Sequence, residues 1–355
     1  MKKIILNLAA IIALWTGCNP KKETAPTPSG KFKEGFFILN EGNFNKGNAS
    51  IDFYPTATSE IDTDIFKKVN QRPLGDVLQD FYIHEDKGFI IVNNSHKMEI
   101  VDINTFESKA VIENLSLPRC IRVANGKAYI SETVDYTGSK GKVSIINIEN
   151  NTIIKSLTVG INPDKMLTLN NKLFLVNSGE NTVSVINTTT DELEKSIEVN
   201  QNPNSLVYDG EYLWVLCGGK KVYLTDWTGI NEALSTAGSL QKINPATGEL
   251  VKTIPLDSKI ITPNYLNYVG NKKLIYAYGE KIMAYDSNTD KTITLIEEAK
   301  NTYGLNTDPS SQRLYRADHN GFQKNSTVYC YTLDGQLVYS FSSGIGTNEF
   351  IFYNQ

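Results

Sequence analysis

Only three histidines and four cysteines occur among the 355 residues, so few side chains suit metal or nucleophilic chemistry. The sequence has no His-Glu-x-x-His, no Cys-x-x-Cys and no carboxylate-rich calcium loop, the spacings by which zinc and calcium are commonly bound. It also lacks the Gly-x-Ser-x-Gly turn that carries the serine of many hydrolases. These absences predict no metal site, no cofactor and no catalytic residues, and they favour a protein that is not an enzyme.

The cysteines do not form a disulfide framework. Cys120, Cys217 and Cys330 each lie inside an apolar run of a different repeat, and their number is odd. We therefore expect three buried thiols that pack as small hydrophobic groups.

A basic stripe is also missing. The net charge is −4, and the two lysines of the N-terminal leader contribute to it, so the remainder of the chain is still more acidic. A protein with this balance lacks the electrostatic surface that nucleic acids require. We expect no nucleic acid partner.

One apolar run, residues 4–14, follows Lys2 and Lys3 and precedes Thr16-Gly17-Cys18. It is too short to span a membrane, and its order of charge, apolar core and small residues is typical of a secretory signal. The pattern resembles a bacterial lipoprotein signal, which implies a signal peptide over 1–17, lipidation of Cys18 and a flexible tether over 18–33. Trp15 departs from that pattern, so an ordinary signal peptide followed by an incidental cysteine is the alternative.

A repeat organises the rest of the chain. Pro118, Pro163, Pro203 and Pro263 each begin a short apolar strand, at steps of 45, 40 and 60 residues, and the longest step contains an insertion that begins at Trp227. Each unit continues with a turn, a second strand, a loop rich in Asn, Ser and Gly, and an alternating strand with its return. A period of this length built of four strands is the signature of a β-propeller blade.

The two chain ends complete each other. The segment that follows residue 34 has no first strand, whereas the tail has only a first strand. Joining the two closes the ring without an open sheet edge. The sequence therefore predicts an all-β fold, one seven-bladed β-propeller over 34–355, in which the C-terminal strand pairs with the N-terminal blade.

The run LFLVNSGENTVSVINTTT over 173–190 is similar to the YVTN-type repeats of YncE-like propellers. The segment EGFFILNEGNFNKGNASIDFY, after a lipoprotein leader, resembles the start of surface propeller lipoproteins of Bacteroidetes, among them the BtuG family. That resemblance implies an outer-membrane lipoprotein that captures a cobamide such as vitamin B12 and passes it to a TonB-dependent BtuB-type transporter. It implies contact with the membrane only through the lipid anchor, on the cell surface or facing the periplasm.

In a propeller, the loops entering the first strands and the loops joining second to third strands converge on one face, here called the funnel face. The amide-rich loops predicted there suit a large neutral ligand bearing amides or hydroxyls, with Phe44, Tyr136, Trp227 and Phe322 as apolar platforms. Asn also favours β turns, so Asn177 has a purely structural alternative. The predicted ligand-binding residues are Asn43, Phe44, Arg72, Asn94, His96, Arg119, Glu132, Tyr136, Asn177, Asn202, Asn264, Asp318, His319 and Phe322.

Three functions compete on these grounds. The first is capture of a nutrient, with a cobamide as the leading ligand and His96 or His319 as candidate cobalt ligands. The second is a scaffold or adhesion propeller that binds an envelope protein or a glycan. The third is a lactonase-like hydrolase with clustered acidic or histidine residues at the funnel.

Overall fold

The computed structural model of the chain describes residues 30–352. Seven sheets form a ring, which confirms the predicted seven-bladed β-propeller. The predicted signal peptide (1–17) and the lipidation site Cys18 lie outside the described residues, as does most of the tether. The packed chain begins at Phe32, two residues before the predicted start of the propeller, because this ring is buried among Phe37, Phe53 and Phe106.

The strands follow the chain blade by blade. Blade 1 contains β1 (Gly35–Asn40) and β2 (Ser50–Pro55), followed by the helix α1 (Ile65–Asn70). Blades 2 to 4 are β3 (Leu78–His84), β4 (Lys87–Val92), β5 (Lys97–Asp102), β6 (Ser108–Ile112); β7 (Pro118–Ala124), β8 (Lys127–Glu132), β9 (Lys140–Asn147), β10 (Thr152–Ile161); and β11 (Pro163–Leu169), β12 (Lys172–Asn177), β13 (Thr182–Asn187), β14 (Glu192–Glu198).

Blades 5 to 7 are β15 (Pro203–Tyr208), β16 (Leu213–Cys217), β17 (Ser239–Ile243), β18 (Leu250–Pro255); β19 (Pro263–Tyr268), β20 (Lys273–Tyr278), β21 (Lys281–Asp286), β22 (Lys291–Ile296); and β23 (Thr302–Asp308), β24 (Arg313–Asp318), β25 (Thr327–Thr332), β26 (Leu337–Ser342). A short 3-10 turn spans Asn320–Phe322, and β27 (Thr347–Phe352) ends the described chain.

Six blades have four antiparallel strands in chain order, and blade 1 has the order β2-β1-β27. The first strands β3, β7, β11, β15, β19, β23 and β27 contact one another in succession, and β27 contacts β3, so these seven strands surround the axis. In blade 1 the fourth position is reduced to an isolated bridge between Phe53 and Asp62. The four prolines from which the period was derived each begin a first strand.

The ring closes as predicted. β27 pairs antiparallel with β1, from Phe36 opposite Phe352 to Asn40 opposite Thr347. A buried polar network fixes this junction: the Thr347 hydroxyl donates to Asn40 Oδ1 at 2.7 Å, and Asn40 Nδ2 donates to Asp52 Oδ2 at 2.9 Å. Asp52 also accepts from the Ser343 hydroxyl at 2.8 Å. Both ends of the described chain therefore enter one hydrogen-bonded unit.

Apolar side chains fill the space between neighbouring blades. One cluster joins blades 1 and 2 through Phe37 and Phe81, whose rings meet edge to face at a centroid distance of 5.2 Å. The cysteines belong to these layers: Cys120, Cys217 and Cys330 are buried and free, as predicted. Burial raises the pKa of the Cys217 thiol to about 12, so this sulfur stays protonated and packs as a hydrophobic group.

The substitution Asn40→Ala tests the junction. It removes the acceptor of Thr347 and one donor to the buried Asp52 carboxyl, and unpaired buried polar groups are costly. We expect the free energy of unfolding to fall by about 2–4 kcal/mol in chemical denaturation. Asn150→Ala, in an exposed turn of blade 3, is the control: it removes two hydrogen bonds from Thr152 that water can replace, and should change the free energy of unfolding by no more than about 1 kcal/mol. Equal effects of the two changes would contradict a special role for this network.

Candidate ligand site on the funnel face

The second residue of each first strand faces the axis at the funnel end. In six of the seven strands this residue has no partner on the neighbouring strand, because the register shifts immediately after the first residue. Such a bulge turns a side chain out of the ordinary alternation of a strand. The seven second residues are Gln79, Arg119, Asp164, Asn204, Asn264, Tyr303 and Asn348.

These seven side chains, together with Glu41, Lys165, Ser205 and Tyr265, line a cavity of about 260 Å³, here called the axial pocket. Several of them reach the next blade. Asn204 Nδ2 donates to Pro263 O at 2.8 Å, and Asn348 Nδ2 donates to Leu78 O at 2.9 Å. The wall of the pocket is therefore built by contacts between blades, so its shape depends on the complete ring.

Charges in and below the axial pocket occur in opposite pairs. Arg119 meets Asp164 at 3.1 Å and Lys165 meets Glu349 at 3.2 Å. One layer deeper, Arg122 meets the buried Asp80 at 2.9 Å. Pairing of this kind offsets the cost of removing each charge from water.

The pKa values follow this arrangement. Burial alone would raise the pKa of Asp80, but the charges of Arg122 and Lys165 outweigh it and hold that pKa below its ordinary value. For Glu349, burial outweighs the attraction of Lys165, and the charge of Asp80 adds repulsion, so its pKa lies above the ordinary value. The pKa values of two neighbouring carboxyls at the axis are thus shifted in opposite directions.

Glu41 is the pocket carboxyl that has no ion-pair partner within 4 Å among the described residues. Its Oε2 accepts from the Tyr303 hydroxyl at 2.6 Å. Burial raises the pKa of Glu41, although hydrogen bonding from Tyr303 and the charge of Arg119 partly oppose that effect. The carboxyl lies at the start of the β1–β2 loop and therefore joins blade 1 to blade 7.

An aromatic group stands at the rim beside this carboxyl. The rings of His319 and Phe322 stack at 4.3 Å, and Tyr303 meets Phe322 edge to face at 4.9 Å. Asn43 Nδ2 donates to Phe322 O at 3.0 Å, which fixes the β1–β2 loop to this group. Three of the predicted residues, Asn43, His319 and Phe322, therefore lie together next to the axial pocket.

The two funnel-face histidines differ in their hydrogen bonds. His319 Nδ1 accepts from Gly321 N at 3.0 Å, so a neutral ring carries its proton on Nε2. His96 Nδ1 lies 3.1 Å from Leu115 O, to which it must donate, so its Nε2 keeps a lone pair. A neutral His96 ring thus has the tautomer that suits a metal ligand, whereas the lone pair of a neutral His319 ring lies on Nδ1 and accepts from Gly321.

Other predicted residues take part in local structure instead of lining the axial pocket. Arg72 makes a bidentate pair with the buried Glu99 of β5, at 2.8 and 2.9 Å. Glu132 accepts from Ser116 N and pairs with Lys142 at 3.3 Å.

Four predicted residues with short polar side chains do likewise. Asn177 is buried and donates to Thr182 and Ser184, as its structural alternative foresaw. Asn94 Nδ2 donates to Asp76 at 2.6 Å. The remaining two support turns. The backbone carbonyl of Asn202 accepts from Gly218 N, and Asp318 Oδ1 accepts from Asn320 N.

The remaining predicted residues line the pocket or lie exposed. Arg119 and Asn264 are part of the axial pocket wall. Tyr136 is 70% exposed and lies near Arg119, and Phe44 is 67% exposed. Trp227, 78% exposed, stands on a hairpin extension of blade 5 and packs against Tyr223 at 5.5 Å.

The sequence carried a usable signal for the pocket residues that were not predicted. Asp164 and Asn204 directly follow the prolines that mark the repeat, as Arg119 and Asn264 do. Selecting the residue after each first-strand start would have identified most of the wall. Tyr303 and Gln79 follow starts without a proline, and their blades therefore lack that marker.

Among residues 30–352, no group of three or more His, Cys, Asp or Glu side chains is placed to hold a metal ion. In the same part of the chain, no helix is long and apolar enough to cross a membrane. The first described residue, Gly30, is exposed and lies beside Asn104 in the β5–β6 turn. That turn joins a third to a fourth strand and so lies on the face opposite the funnel face.

The fold and its axial pocket define a seven-bladed β-propeller with a polar cavity on the funnel face. The chain belongs to the family described as "Domain of unknown function (DUF5074)", whose profile matches residues 34–344. No curated protein matches the sequence.

Solved structures share the fold at low identity. A quinonprotein alcohol dehydrogenase-like protein from Bacteroides thetaiotaomicron has a TM-score of 0.65 and 13% identity, covering 91% of this chain and 79% of that chain. BamB from Moraxella catarrhalis has a TM-score of 0.59 and 13% identity, covering 90% of this chain and 86% of that chain. Hydrazine synthase from Kuenenia stuttgartiensis has a TM-score of 0.58 and 17% identity, covering 74% of this chain and 85% of that chain. These identities establish likeness of fold alone.

The substitution Glu41→Gln tests the environment of the pocket carboxyl. Because the pKa of Glu41 in the folded protein lies above its ordinary 4.5, the carboxyl stabilises the fold at acidic pH, and that contribution is lost as the pH rises through the folded pKa. Gln keeps the acceptor for Tyr303 and cannot ionise. We expect the unfolding free energy of the variant, minus that of the wild type, to increase between about pH 4 and about pH 8. Urea denaturation across this range measures it, and a flat or falling difference would contradict the assignment.

Proposed function

We propose that this protein is a non-enzymatic binding protein of the cell envelope, which captures a nutrient on the funnel face of its propeller. The axial pocket is the observation that carries the proposal. Its charged side chains are largely paired with one another, and four of the seven second residues are carboxamides. A cavity with few polar groups at fixed positions is the usual form of a small-molecule site.

A cobamide is the ligand that we propose. The support is the resemblance of the segment after the leader to surface propeller lipoproteins, together with the amide-rich pocket wall, which suits a corrinoid edged by amide side chains. A corrinoid is far larger than a cavity of about 260 Å³, so it would lie across the funnel face with one side chain in the axial pocket. Exposed Tyr136 and the ring pair of His319 and Phe322 would then contact the macrocycle.

The proposed route of the nutrient includes the membrane. A lipid on Cys18 would anchor the protein to the outer membrane, and a TonB-dependent BtuB-type transporter would receive the ligand. Gly30 lies on the face opposite the funnel face, so the tether would approach the propeller from the side away from the axial pocket. The funnel face would then be free to meet ligand and transporter.

A hydrolase is the second candidate, and one specific observation favours it. Glu41 has a raised pKa, a hydrogen bond from Tyr303 and the charge of Arg119 nearby, and carboxyls of this kind serve as general acids in many enzymes. The pairing of the other pocket charges favours binding over catalysis. A scaffold that binds an envelope protein or a glycan is the remaining alternative.

Isothermal titration of residues 21–355 with cyanocobalamin and cobinamide tests the ligand. We expect a dissociation constant in the nanomolar range. Chromatography of the ligand recovered after binding should show that it is chemically unchanged. Tyr136→Ala should weaken binding about tenfold, since it removes an aromatic contact. Ile153→Ala, which truncates an exposed apolar side chain on the outer strand β10, should leave affinity unchanged.

Two outcomes would contradict this prediction. No heat at high micromolar ligand would remove the cobamide and direct attention to protein and glycan partners. A chemically altered ligand, with turnover abolished by Glu41→Gln, would establish the hydrolase instead.

The anchor is tested in cells. Cys18→Ser should move the protein from the membrane fraction to the soluble fraction, because a lipidated cysteine is the only membrane contact that we propose. Protease treatment of intact cells should digest the wild-type protein if it faces outward. Persistence of the protein until the cells are lysed would contradict surface exposure, and membrane retention of Cys18→Ser would contradict lipidation.

A further inference from the structure

The hydrogen-bonding capacity of the axial pocket is unbalanced. Its amide hydrogens are directed at protein acceptors: Asn204 Nδ2 donates to Pro263 O, and Asn264 Nδ2 donates to Thr262 O at 3.1 Å. Asn348 Nδ2 donates to Leu78 O and also lies within hydrogen-bonding reach of Glu41. Both amide hydrogens of Asn204 and Asn348 are therefore engaged, and so is one of the two of Asn264.

The oxygens of the same three amides, Asn204, Asn264 and Asn348, have few hydrogen-bond partners. Asn348 Oδ1 is buried and has no hydrogen-bond partner among the described residues. Asn264 Oδ1 accepts one long bond of 3.3 Å from Asn204, and Asn204 Oδ1 accepts one from Ser205 at 3.1 Å. A carbonyl oxygen accepts two hydrogen bonds, and a buried acceptor without a partner is costly. These three amide oxygens therefore have unused capacity to accept hydrogen bonds.

A charged group is a poor source of donors for these oxygens. Arg119 and Lys165 line the pocket and would repel an ammonium, although each is paired with a carboxylate. A carboxylate offers no donor and would face the amide oxygens. A carboxamide donates two hydrogens without bringing a charge.

We infer that the ligand group that enters the axial pocket is a neutral hydrogen-bond donor, best matched by a primary carboxamide, held by the oxygens of Asn348, Asn264 and Asn204. This inference rests on the proposed function only in taking the axial pocket as the ligand site. It does not require that the ligand be a cobamide.

Three probes with the same ring separate the alternatives: benzamide, benzoate and benzylamine, which is protonated at neutral pH. Saturation-transfer NMR and titration with residues 21–355 should show benzamide bound at least about fivefold more tightly than the other two, the difference expected from one buried hydrogen bond. Asn348→Leu should reduce benzamide binding to the level of benzoate.

A second variant keeps the test independent of any folding defect in Asn348→Leu. Asn264→Asp retains the acceptor for Asn204 and adds one negative charge, so it should strengthen benzylamine and thereby narrow or reverse the preference for benzamide over benzylamine. Asn150→Asp makes the same change in an exposed turn on the opposite face and should alter neither. Thermal unfolding confirms that each variant is folded.

Four results would overturn the inference: equal or tighter binding of benzoate or benzylamine to the wild type, an unchanged order of probe preference in both pocket variants, the same shift in Asn150→Asp, or no binding of any probe. Failure of the two proposals is distinguishable. If cyanocobalamin does not bind but the benzamide preference holds, the cobamide is wrong and the carboxamide inference stands. If cyanocobalamin binds and the benzamide preference is absent, the carboxamide inference is wrong and the cobamide proposal stands.

Discussion

The pairing of β27 with β1 is the constraint on which the rest of the structure depends. Without it, blade 1 loses its first strand and two sheet edges are exposed. The same pairing builds the axial pocket, because β27 supplies Asn348 and β1 leads directly into Glu41. Glu41 meets Tyr303 across 262 positions of sequence, a contact that exists only in a closed ring. The axial pocket of this protein therefore requires a closed ring.

A second constraint follows from the seven first strands surrounding one axis. Their inward side chains are partly removed from water, so polar groups there need partners from neighbouring blades. Arg119 with Asp164 and Arg122 with Asp80 are such partners. Breaking one member of a buried pair is costly, so each pair also fixes the position of one blade relative to the next. The polar axis thus contributes rigidity to the ring as well as chemistry to the pocket.

The axial pocket combines features of a binding site and of an acid–base site. Paired charges and carboxamide oxygens suit recognition of a polar neutral group, whereas Glu41 beside Tyr303 has the shifted pKa typical of functional carboxyls. The burial that raises this pKa also disfavours charge on a ligand, so it fits a pocket for a neutral group. Binding therefore accounts for both features, and catalysis accounts for one. The related solved structures do not decide between them, because they share the fold and little sequence.

The sequence by itself determined the repeat, the blade count and the way the ring closes, because strand alternation and turn residues are local properties that recur at a fixed interval. It also placed Arg119, Asn264 and His319 on the funnel face, where they line or adjoin the axial pocket. Only the tertiary structure decided which side chains meet. Arg72 and Glu132 lie at the funnel end of their blades, yet each is held by a partner in its own blade or in the loop entering it. The direction of a side chain depends on the bulge at the start of most first strands and on the neighbouring blade. Neither can be predicted from the spacing of residues along the chain.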